Sequence, residues 1–486
     1  MNIHYIHRIN NQDITRTALL FNNTTVTYGE MEKNIDKYAG YLGRMGLLVG
    51  DRVAVALPNC PEFVYSYFGI IRAGGTVVPL NLLQTPQELA FMLKDSGVSY
   101  LITNESIGQA LSQLPSGQSV QVIILNEQCS NEILNTPSTH FEKRDPESVC
   151  TLLYTSGTTG NPKAVMLTHN NLIGNVRSMD AVSGFNPADN FLAVLPMFHS
   201  FGWATSVLLP LYVGCSITIL ESFRPKEVLH ALSQKGITVF CGVPSMFAVL
   251  LKLRRQASFP TLKYAISGGD SISEEHMLSF EQTFKFPIIE GYGLSEASPV
   301  VSLNPLEGTR KIRSVGLPLT GVEVRIVDEE DQELPPGNVG ELLVKGPNIM
   351  KGYYNRKEDT RSVLKKGWLY TGDLAYRDHE GYIYIVGRKK ELIITAGYNI
   401  YPGEIEDALK AHPSVEEAAV IGIPHPVKGE AIKAFIIPVE GLTPKKHELL
   451  QFLKGKLSIY KIPEIFVIKK ELPRGANGKV LKRMLQ

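Results

Sequence analysis

The stretch Tyr154-Thr-Ser-Gly-Thr-Thr-Gly-Asn-Pro-Lys163 is the most informative segment of this 486-residue chain. It follows the apolar run 149–153, which predicts a strand, so the loop is expected to leave the edge of a sheet. Glycines let backbone N–H groups approach anionic oxygens, and hydroxyls and a lysine add donors and positive charge. Those residues are Gly157 and Gly160, the hydroxyl-bearing Thr155, Ser156, Thr158 and Thr159, and Lys163. The segment therefore predicts a phosphate-binding loop.

The spacing differs from the Walker pattern, in which the second glycine is followed directly by Lys-Ser/Thr. A different kind of nucleotide enzyme is indicated. A polar surface turn is the structural alternative, because turns are built from these same residue types.

Size and composition favour a multidomain globular protein. A chain of 486 residues is longer than one core usually serves, and 44% hydrophobic with 20% charged residues is typical of folded proteins. A net charge of +1 argues against nucleic acid as a partner.

The five cysteines lack any CxxC pair and are expected to be reduced thiols. With no signal sequence at the N-terminus, and with Pro210 and Gly214 interrupting the apolar run 203–220, we expect a soluble, cytoplasmic protein.

Strand-like and helix-like segments alternate through most of the chain, which predicts an α/β fold with doubly wound sheets. Strands are expected at 52–57, 76–80 and 98–102, then at 191–195, 216–220, 238–241, 263–267 and 287–289. After residue 316, alternating strands around the turn 335–337 predict a small antiparallel, barrel-like unit. A compact α+β segment follows. We place the domain boundary near 388, giving a large domain 1–387 and a small mobile domain 388–486.

The loop at 154–163 resembles the signature of the adenylate-forming superfamily, which includes acyl-CoA synthetases, peptide-synthetase adenylation domains and beetle luciferases. Five further segments match in the same order and extend the resemblance over nearly the whole chain. They are Gly291-Tyr-Gly-Leu-Ser-Glu296, Tyr370-Thr-Gly-Asp373, Gly387-Arg388, Gly397-Tyr-Asn-Ile-Tyr-Pro-Gly-Glu-Ile-Glu406 and Asn477-Gly-Lys479. Departures from the common pattern include Ala164, Ser295, Glu391 and Ile394.

The resemblance implies roles for individual residues. Glu296 would bind Mg²⁺ together with Thr155, and Lys479 would bridge the carboxylate and the α-phosphate, with Lys163 as a further catalytic cation. Tyr292 would stack on adenine, and Asp373 would accept the ribose hydroxyls. The remaining ATP-binding or AMP-binding candidates are Gly268, Gly269, Glu290, Gly291, Gly293, Ser295 and Arg388. Without the resemblance, Glu296 could be a helix-terminal acid, Tyr292 a core residue, Asp373 a cap, and Arg388 and Lys479 solvated charges.

The acid-binding region is expected around Phe198-His-Ser-Phe-Gly-Trp203. Amino-acid-activating relatives carry an aspartate just after this phenylalanine, and His199 cannot supply that anion. By resemblance to fatty acyl-CoA synthetases, Trp203 would gate an acyl tunnel, although a lone tryptophan is more often core packing. Val243 and its apolar neighbours would line the pocket. Lys390 would be the hinge, and Gly397 would line the CoA channel.

The leading hypothesis is an acyl-CoA synthetase that uses ATP, Mg²⁺ and CoA to activate a medium-chain or long-chain fatty acid. Alternatives are an aryl-CoA ligase, a ligase that loads a carrier-protein phosphopantetheine, and a nucleotide-binding regulator without turnover. An oxygenase of the luciferase type is a further alternative that nothing in the sequence specifies. Peripheral membrane contact and a homodimer are left open.

Overall fold

The computed structural model describes residues 2–8, 13–111, 120–137, 144–155, 162–253, 258–395, 398–474 and 480–485. Contacts between Cα atoms divide the chain into two compact units, 1–323 with 344–369, and 324–343 with 370–486. The second unit thus includes 324–343 and runs without interruption from residue 370. The domain boundary near 388 and the hinge at Lys390 stay predictions.

The first unit contains a nine-stranded sheet among the described residues. Its central strands are parallel, and the strand order reverses at Asn190–Ala193, which has Ser216–Ile219 on one side and Val239–Gly242 on the other, as a doubly wound sheet requires. In spatial order the strands are Leu317–Pro318, Val300–Leu303, Ile288–Gly293, Tyr264–Ser267, Val239–Gly242, Asn190–Ala193, Ser216–Ile219, Thr17–Phe21 and Thr24–Thr27. Phe240, Phe247 and Phe280 are fully buried in the core beside it.

A second sheet of the first unit has seven described strands. In spatial order they are Gly352–Tyr353, Lys163–Thr168, Val149–Thr155, Thr76–Pro79, Arg52–Ala56, Tyr100–Thr103 and Gln121–Ile124. The predicted strand before the phosphate loop is therefore confirmed, and the loop leaves the sheet at the end of an interior strand. The strand Lys163–Thr168 returns antiparallel to it, with Thr155 opposite Lys163.

Helices pack on both sheets, which confirms the α/β class. The α-helices of the first unit are Tyr28–Arg44, Pro61–Arg72, Pro86–Ser96, Glu105–Leu111, Glu127–Leu134, His169–Ser183, Ser200–Trp203, Leu209–Val213, Pro225–Gln234, Pro244–Lys252, Glu274–Phe284 and Lys357–Val363. Short 3₁₀ helices cover Ile3–Arg8 and Ser295–Ala297, and a π-helical turn covers Ala204–Leu208.

The apolar run 203–220 is interrupted at Gly214, as predicted, and ends in the predicted strand. Helical turns continue to Val213, Gly214 adopts φ +94° as the helix ends, and the strand Ser216–Ile219 follows. Nowhere in the described ranges is there a helix both long and apolar enough to cross a membrane. Each of the five cysteines has a free thiol, as predicted.

The second unit contains a small α+β core. Its sheet joins Tyr398–Ile400, Ile393–Thr395, Gly429–Pro438 and Val415–His425, with Ile465–Ile468 alongside Gly429–Pro438. The helices Pro402–Lys410 and Lys446–Lys454 bury Ile405, Leu409 and Leu449 against it. Short 3₁₀ helices cover Lys389–Glu391, Ile459–Lys461 and Lys482–Met484. The remaining strands of the chain are Glu323–Val327, Gly340–Lys345, Leu364–Lys365, Trp368–Arg377 and Ile383–Arg388.

Candidate active site

Four adjacent parallel strands of the nine-stranded sheet bring predicted site residues to one edge. The strand Val239–Gly242 is followed by Val243, Tyr264–Ser267 is followed by Gly268 and Gly269, and Ile288–Gly293 contains Glu290 to Gly293. The strand Asn190–Ala193, next in space, leads to His199 and Trp203. Because the carboxyl ends of parallel strands meet at one edge, segments far apart in sequence share a crevice there.

Gly268 and Gly269 line a narrow part of this crevice. A Cβ at Gly268 would lie 3.0 Å from Phe201 Cζ and 3.5 Å from the Gly291 carbonyl, so a side chain would displace one of them. Gly269 has φ +84°, a left-handed conformation that favours glycine, and its Cβ would lie 3.5 Å from Val243 Cγ1. The absence of side chains at Gly268 and Gly269 therefore lets Phe201, Val243 and the Ile288–Gly293 strand pack closely around these two residues, and their role in binding adenine stays a prediction.

Glu290 and Tyr292 occupy this same strand. Glu290 is only 3% exposed, and its Oε1 accepts a hydrogen bond from the Ile272 N–H at 3.3 Å. Tyr292 is half-buried and lies opposite Ser302 on the antiparallel strand Val300–Leu303. At Gly293 a Cβ would come within 2.3 Å of the Pro299 carbonyl oxygen, so only glycine fits there.

A chain of contacts links this edge to the strands on either side of the phosphate loop. The Tyr353 hydroxyl donates to Glu296 Oε1 at 2.8 Å, and the Lys163 ammonium lies 5.3 Å from the centre of the Tyr353 ring. Lys163 Nζ also forms an ion pair with Asp359 at 2.7 Å. Two of the three predicted catalytic residues, Lys163 and Glu296, thus face the same tyrosine.

Thr155 and Ser295 adjoin this chain of contacts. Thr155 is the last described residue before the loop, and its Oγ1 donates to the Lys163 carbonyl oxygen at 3.4 Å. The Ser295 hydroxyl lies 3.3 Å from that of Ser200, which joins the Glu296 turn to the helix Ser200–Trp203.

Tyr353 and Asp359 were not among the predicted site residues. They lie far from the phosphate loop in sequence, inside the segment 344–369 that returns to the first unit. A tyrosine after glycine in a two-residue strand carries no recognisable functional pattern, so only the fold identifies it.

Of the predicted acid-binding residues, Trp203 lines a small cavity, whereas His199 and Val243 are not part of its lining. His199 caps the helix Ser200–Trp203, its Nδ1 accepting from the Phe201 N–H at 3.3 Å. Trp203 is 5% exposed and packs with its ring centre 4.2 Å from that of Tyr67. Trp203, Phe198, Met197 and Tyr67 line a cavity of about 20 Å³, room for roughly one water molecule. Trp203 therefore packs in the core in this conformation, and it also forms one wall of this cavity.

In the second unit, Asp373 and Arg388 face each other. They are paired across the antiparallel strands Trp368–Arg377 and Ile383–Arg388, and Arg388 Nε lies 3.2 Å from Asp373 Oδ1. Asp373 is 5% exposed, whereas Arg388 is exposed. Lys390 is exposed on the 3₁₀ helix Lys389–Glu391.

Seven predicted site residues lie outside the described residues. They are Ser156, Gly157, Thr158, Thr159, Gly160, Gly397 and Lys479.

Comparison with known proteins identifies the family. Residues 6–354 match the model of the AMP-binding enzyme, and residues 404–479 match the AMP-binding enzyme C-terminal domain. A long-chain-fatty-acid–CoA ligase of Bacillus subtilis (strain 168) is 36% identical over 97% of this chain and 91% of its own length. A feruloyl-CoA synthase of Amycolatopsis sp is 35% identical over 96% of this chain and 94% of its own length.

The structural comparison agrees. O-succinylbenzoate coenzyme A synthetase of Bacillus subtilis, solved with ATP and magnesium ion, superposes with a TM-score of 0.88 and 30% identity, covering 99% of this chain and 98% of that one. The chain therefore belongs to the AMP-binding enzyme family, as a member of its acyl-CoA synthetases.

Proposed function

We propose that the protein activates a medium-chain or long-chain fatty acid with ATP and transfers the acyl group to CoA, releasing AMP and pyrophosphate. The observation that carries this proposal is the contact chain from Lys163 through Tyr353 to Glu296. It assembles a cation for phosphate oxygens and a carboxylate for a phosphate-bound metal ion, which are groups that a nucleoside triphosphate requires.

Mg²⁺ fits this arrangement as a partner of ATP. No cluster of three or more metal-ligating side chains occurs in the described part of the chain, so a cage made only of protein ligands is not indicated there. Mg²⁺ is commonly bound by one or two carboxylates together with substrate phosphate oxygens, and Glu296 with the Thr155 hydroxyl supplies oxygen donors of this kind. When bound, the ion would neutralise charge on the phosphates.

The chain's own residues would divide the remaining work. Lys163 would hold phosphate oxygens, Tyr292 would stack on adenine with Gly268 and Gly269 on the opposite side, and Asp373 would accept the ribose hydroxyls. Lys479 would stabilise the charge that develops as the carboxylate attacks the α-phosphate. After a swing about Lys390, Gly397 would line the channel of the CoA thiol.

An aryl acid is a second candidate. The cavity of about 20 Å³ beside Trp203 holds about one water molecule, so it admits neither an alkyl chain nor an aryl ring unless side chains move. The feruloyl-CoA synthase similarity supports the same alternative.

Acid-dependent pyrophosphate release, measured over alkyl acids of graded length and a set of aryl acids, tests these proposals. A maximum among medium or long alkyl acids supports the leading proposal, and a maximum among aryl acids supports the second. Thioester formation is then measured with CoA and with a holo carrier protein, to identify which thiol accepts the acyl group. No pyrophosphate release with any acid would contradict both proposals and favour a regulator.

Lys479→Ala tests the assigned catalytic lysine. Adenylate formation should fall by about two orders of magnitude, since an oxyanion-stabilising group is removed, whereas thioester formation from supplied acyl-adenylate should be retained. Equal loss in both half-reactions would contradict this role.

A further inference from the structure

The main chain at Tyr353 is fixed on two sides. Gly352 and Tyr353 form a short strand antiparallel to Lys163–Thr168, with Tyr353 opposite Val165. The Tyr354 N–H donates to the Ala164 carbonyl at 2.8 Å. On the other side, the Tyr353 N–H donates to the Thr360 hydroxyl at 2.9 Å. Pairing with the strand Lys163–Thr168 therefore fixes the position of the Tyr353 Cα atom, from which the side chain extends.

The Tyr353 ring separates two groups of opposite charge. Its hydroxyl contacts Glu296, and the Lys163 ammonium lies over its ring. Burial, together with the Glu296 carboxylate, raises the pKa of the Tyr353 hydroxyl, so that it remains a hydrogen-bond donor at neutral pH. Lys163 pairs with Asp359 rather than with Glu296. The cation and the carboxylate required for a metal–phosphate substrate are thus kept close without neutralising each other.

Within the part of the chain that the structure describes, this hydrogen bond is the main support of the Glu296 side chain. It lies in the three-residue 3₁₀ helix Ser295–Ala297, whose main chain is held by the Met350 N–H donating to the Glu296 carbonyl at 2.9 Å. A glutamate side chain loses considerable rotamer freedom when it is fixed, and a hydrogen bond to a charged group offsets that loss. The bound carboxylate keeps lone pairs for a cation, since its two oxygens have about four acceptor sites.

We propose that Tyr353 is a positioning residue that holds the Glu296 carboxylate in place for magnesium-bound ATP while it keeps Glu296 apart from Lys163. This inference rests on the proposed function, in which Glu296 binds Mg²⁺ and Lys163 binds the phosphate oxygens of ATP.

Calorimetric titration of Tyr353→Phe with ATP, in excess Mg²⁺ and separately in EDTA, tests the inference. The substitution removes only the hydroxyl. We expect the affinity for MgATP to fall about tenfold and the affinity for metal-free ATP to change less than about twofold. Equal weakening in both conditions would indicate a purely structural role, and unchanged binding would exclude any role; either result overturns the proposal.

Two further variants complete the experiment. Tyr354→Phe is the matched control, because that neighbouring ring packs on the hydrophobic cluster around Leu93, and it should bind both forms of ATP like the wild type. In a Glu296→Gln background, Tyr353→Phe should cause no further loss of MgATP affinity, and an additive loss would contradict coupling. Since no acid is present, these titrations remain informative even if the panel of acids shows no turnover.

Discussion

At the scale of single residues, the Lys163–Asp359 ion pair should compete with the nucleotide. Lys163 Nζ lies 2.7 Å from Asp359 Oδ1, and the two side chains are 24% and 38% exposed. When ATP binds, its phosphate oxygens must partly replace Asp359 as the partner of the Lys163 ammonium. Half-exposed pairs of this kind contribute about 0–1 kcal/mol, so Asp359→Asn should tighten ATP binding by up to about fivefold. Calorimetry with ATP measures the change.

Glu358→Gln is the control for this prediction. It removes the same charge from an exposed neighbour on the same helix, and it should leave ATP affinity nearly unchanged. If Asp359→Asn weakens ATP binding, the carboxylate supports the site rather than competing with the substrate.

The sequence nominated residues inside contiguous motifs as site candidates, but it did not identify their partners. Gly268, Glu296 and Lys163 belong to such motifs, and their roles in binding stay predictions. Tyr353 meets Lys163 only because a two-residue strand pairs with the strand after the phosphate loop, a contact between residues 190 positions apart. Non-local pairing of this kind has no local sequence signal.

At the scale of elements, the end of the chain is held by ion pairs that should determine how Lys479 is presented. Lys482, on the short 3₁₀ helix Lys482–Met484, lies 3.0 Å from Glu391 and 2.8 Å from Glu406. Burial lowers the pKa of the Lys482 ammonium, but the Glu406 and Glu391 carboxylates outweigh it, so that the pKa is raised. Lys482 therefore stays charged, and its ion pairs hold the chain at a point three residues after Lys479.

Lys482→Met should lower the rate of adenylate formation about tenfold or more, because the segment loses its anchor and two carboxylates lose their cation. Thioester formation from supplied acyl-adenylate should be retained, and Lys482→Arg should restore most of the adenylation rate. Single-turnover pyrophosphate release measures the effect. Lys470→Met, which removes an exposed lysine of the same unit, should behave like the wild type. Equal loss in both half-reactions would point to general destabilisation of the second unit.

Strand positions were predictable to within a few residues, whereas sheet order was not. The strand predicted at 52–57 is Arg52–Ala56, and that at 76–80 is Thr76–Pro79. The hairpin Thr17–Phe21 and Thr24–Thr27, by contrast, joins the sheet of Ser216–Ile219 rather than that of the next strand in sequence. Hydrophobic periodicity reports burial, and it contains no information on which buried strand will be the neighbour.

At the scale of the whole molecule, the loss of stability in acid should depend on two buried histidines. His4 and His169 are each 2% exposed, and the Ile3 N–H donates to His169 Nδ1 at 3.2 Å. Burial, with Arg144 nearby, lowers the pKa of His169 to about 4. Burial, with Arg72 and His169 nearby, lowers the pKa of His4 to about 2, although Glu32 opposes this.

The sign follows from proton binding. Below pH 6.5 the unfolded chain binds protons at both histidines and the folded chain does not, so the free energy of unfolding falls as the pH falls from 6.5 towards 4. Each pKa unit corresponds to about 1.4 kcal/mol, which gives a loss of roughly 2 kcal/mol per histidine at pH 5. That is a substantial fraction of a typical net stability of about 5–15 kcal/mol.

His169→Asn should reduce this dependence by about half, because the amide oxygen can still accept the Ile3 N–H but does not titrate. Urea unfolding at pH 7.5 and pH 5 measures the difference, and the titration of carboxylates common to both proteins cancels in the comparison. His447→Asn, at a side chain that is 74% exposed, should leave the pH dependence unchanged. If His169→Asn loses as much stability between the two pH values as the wild type, the acid sensitivity originates elsewhere in the molecule.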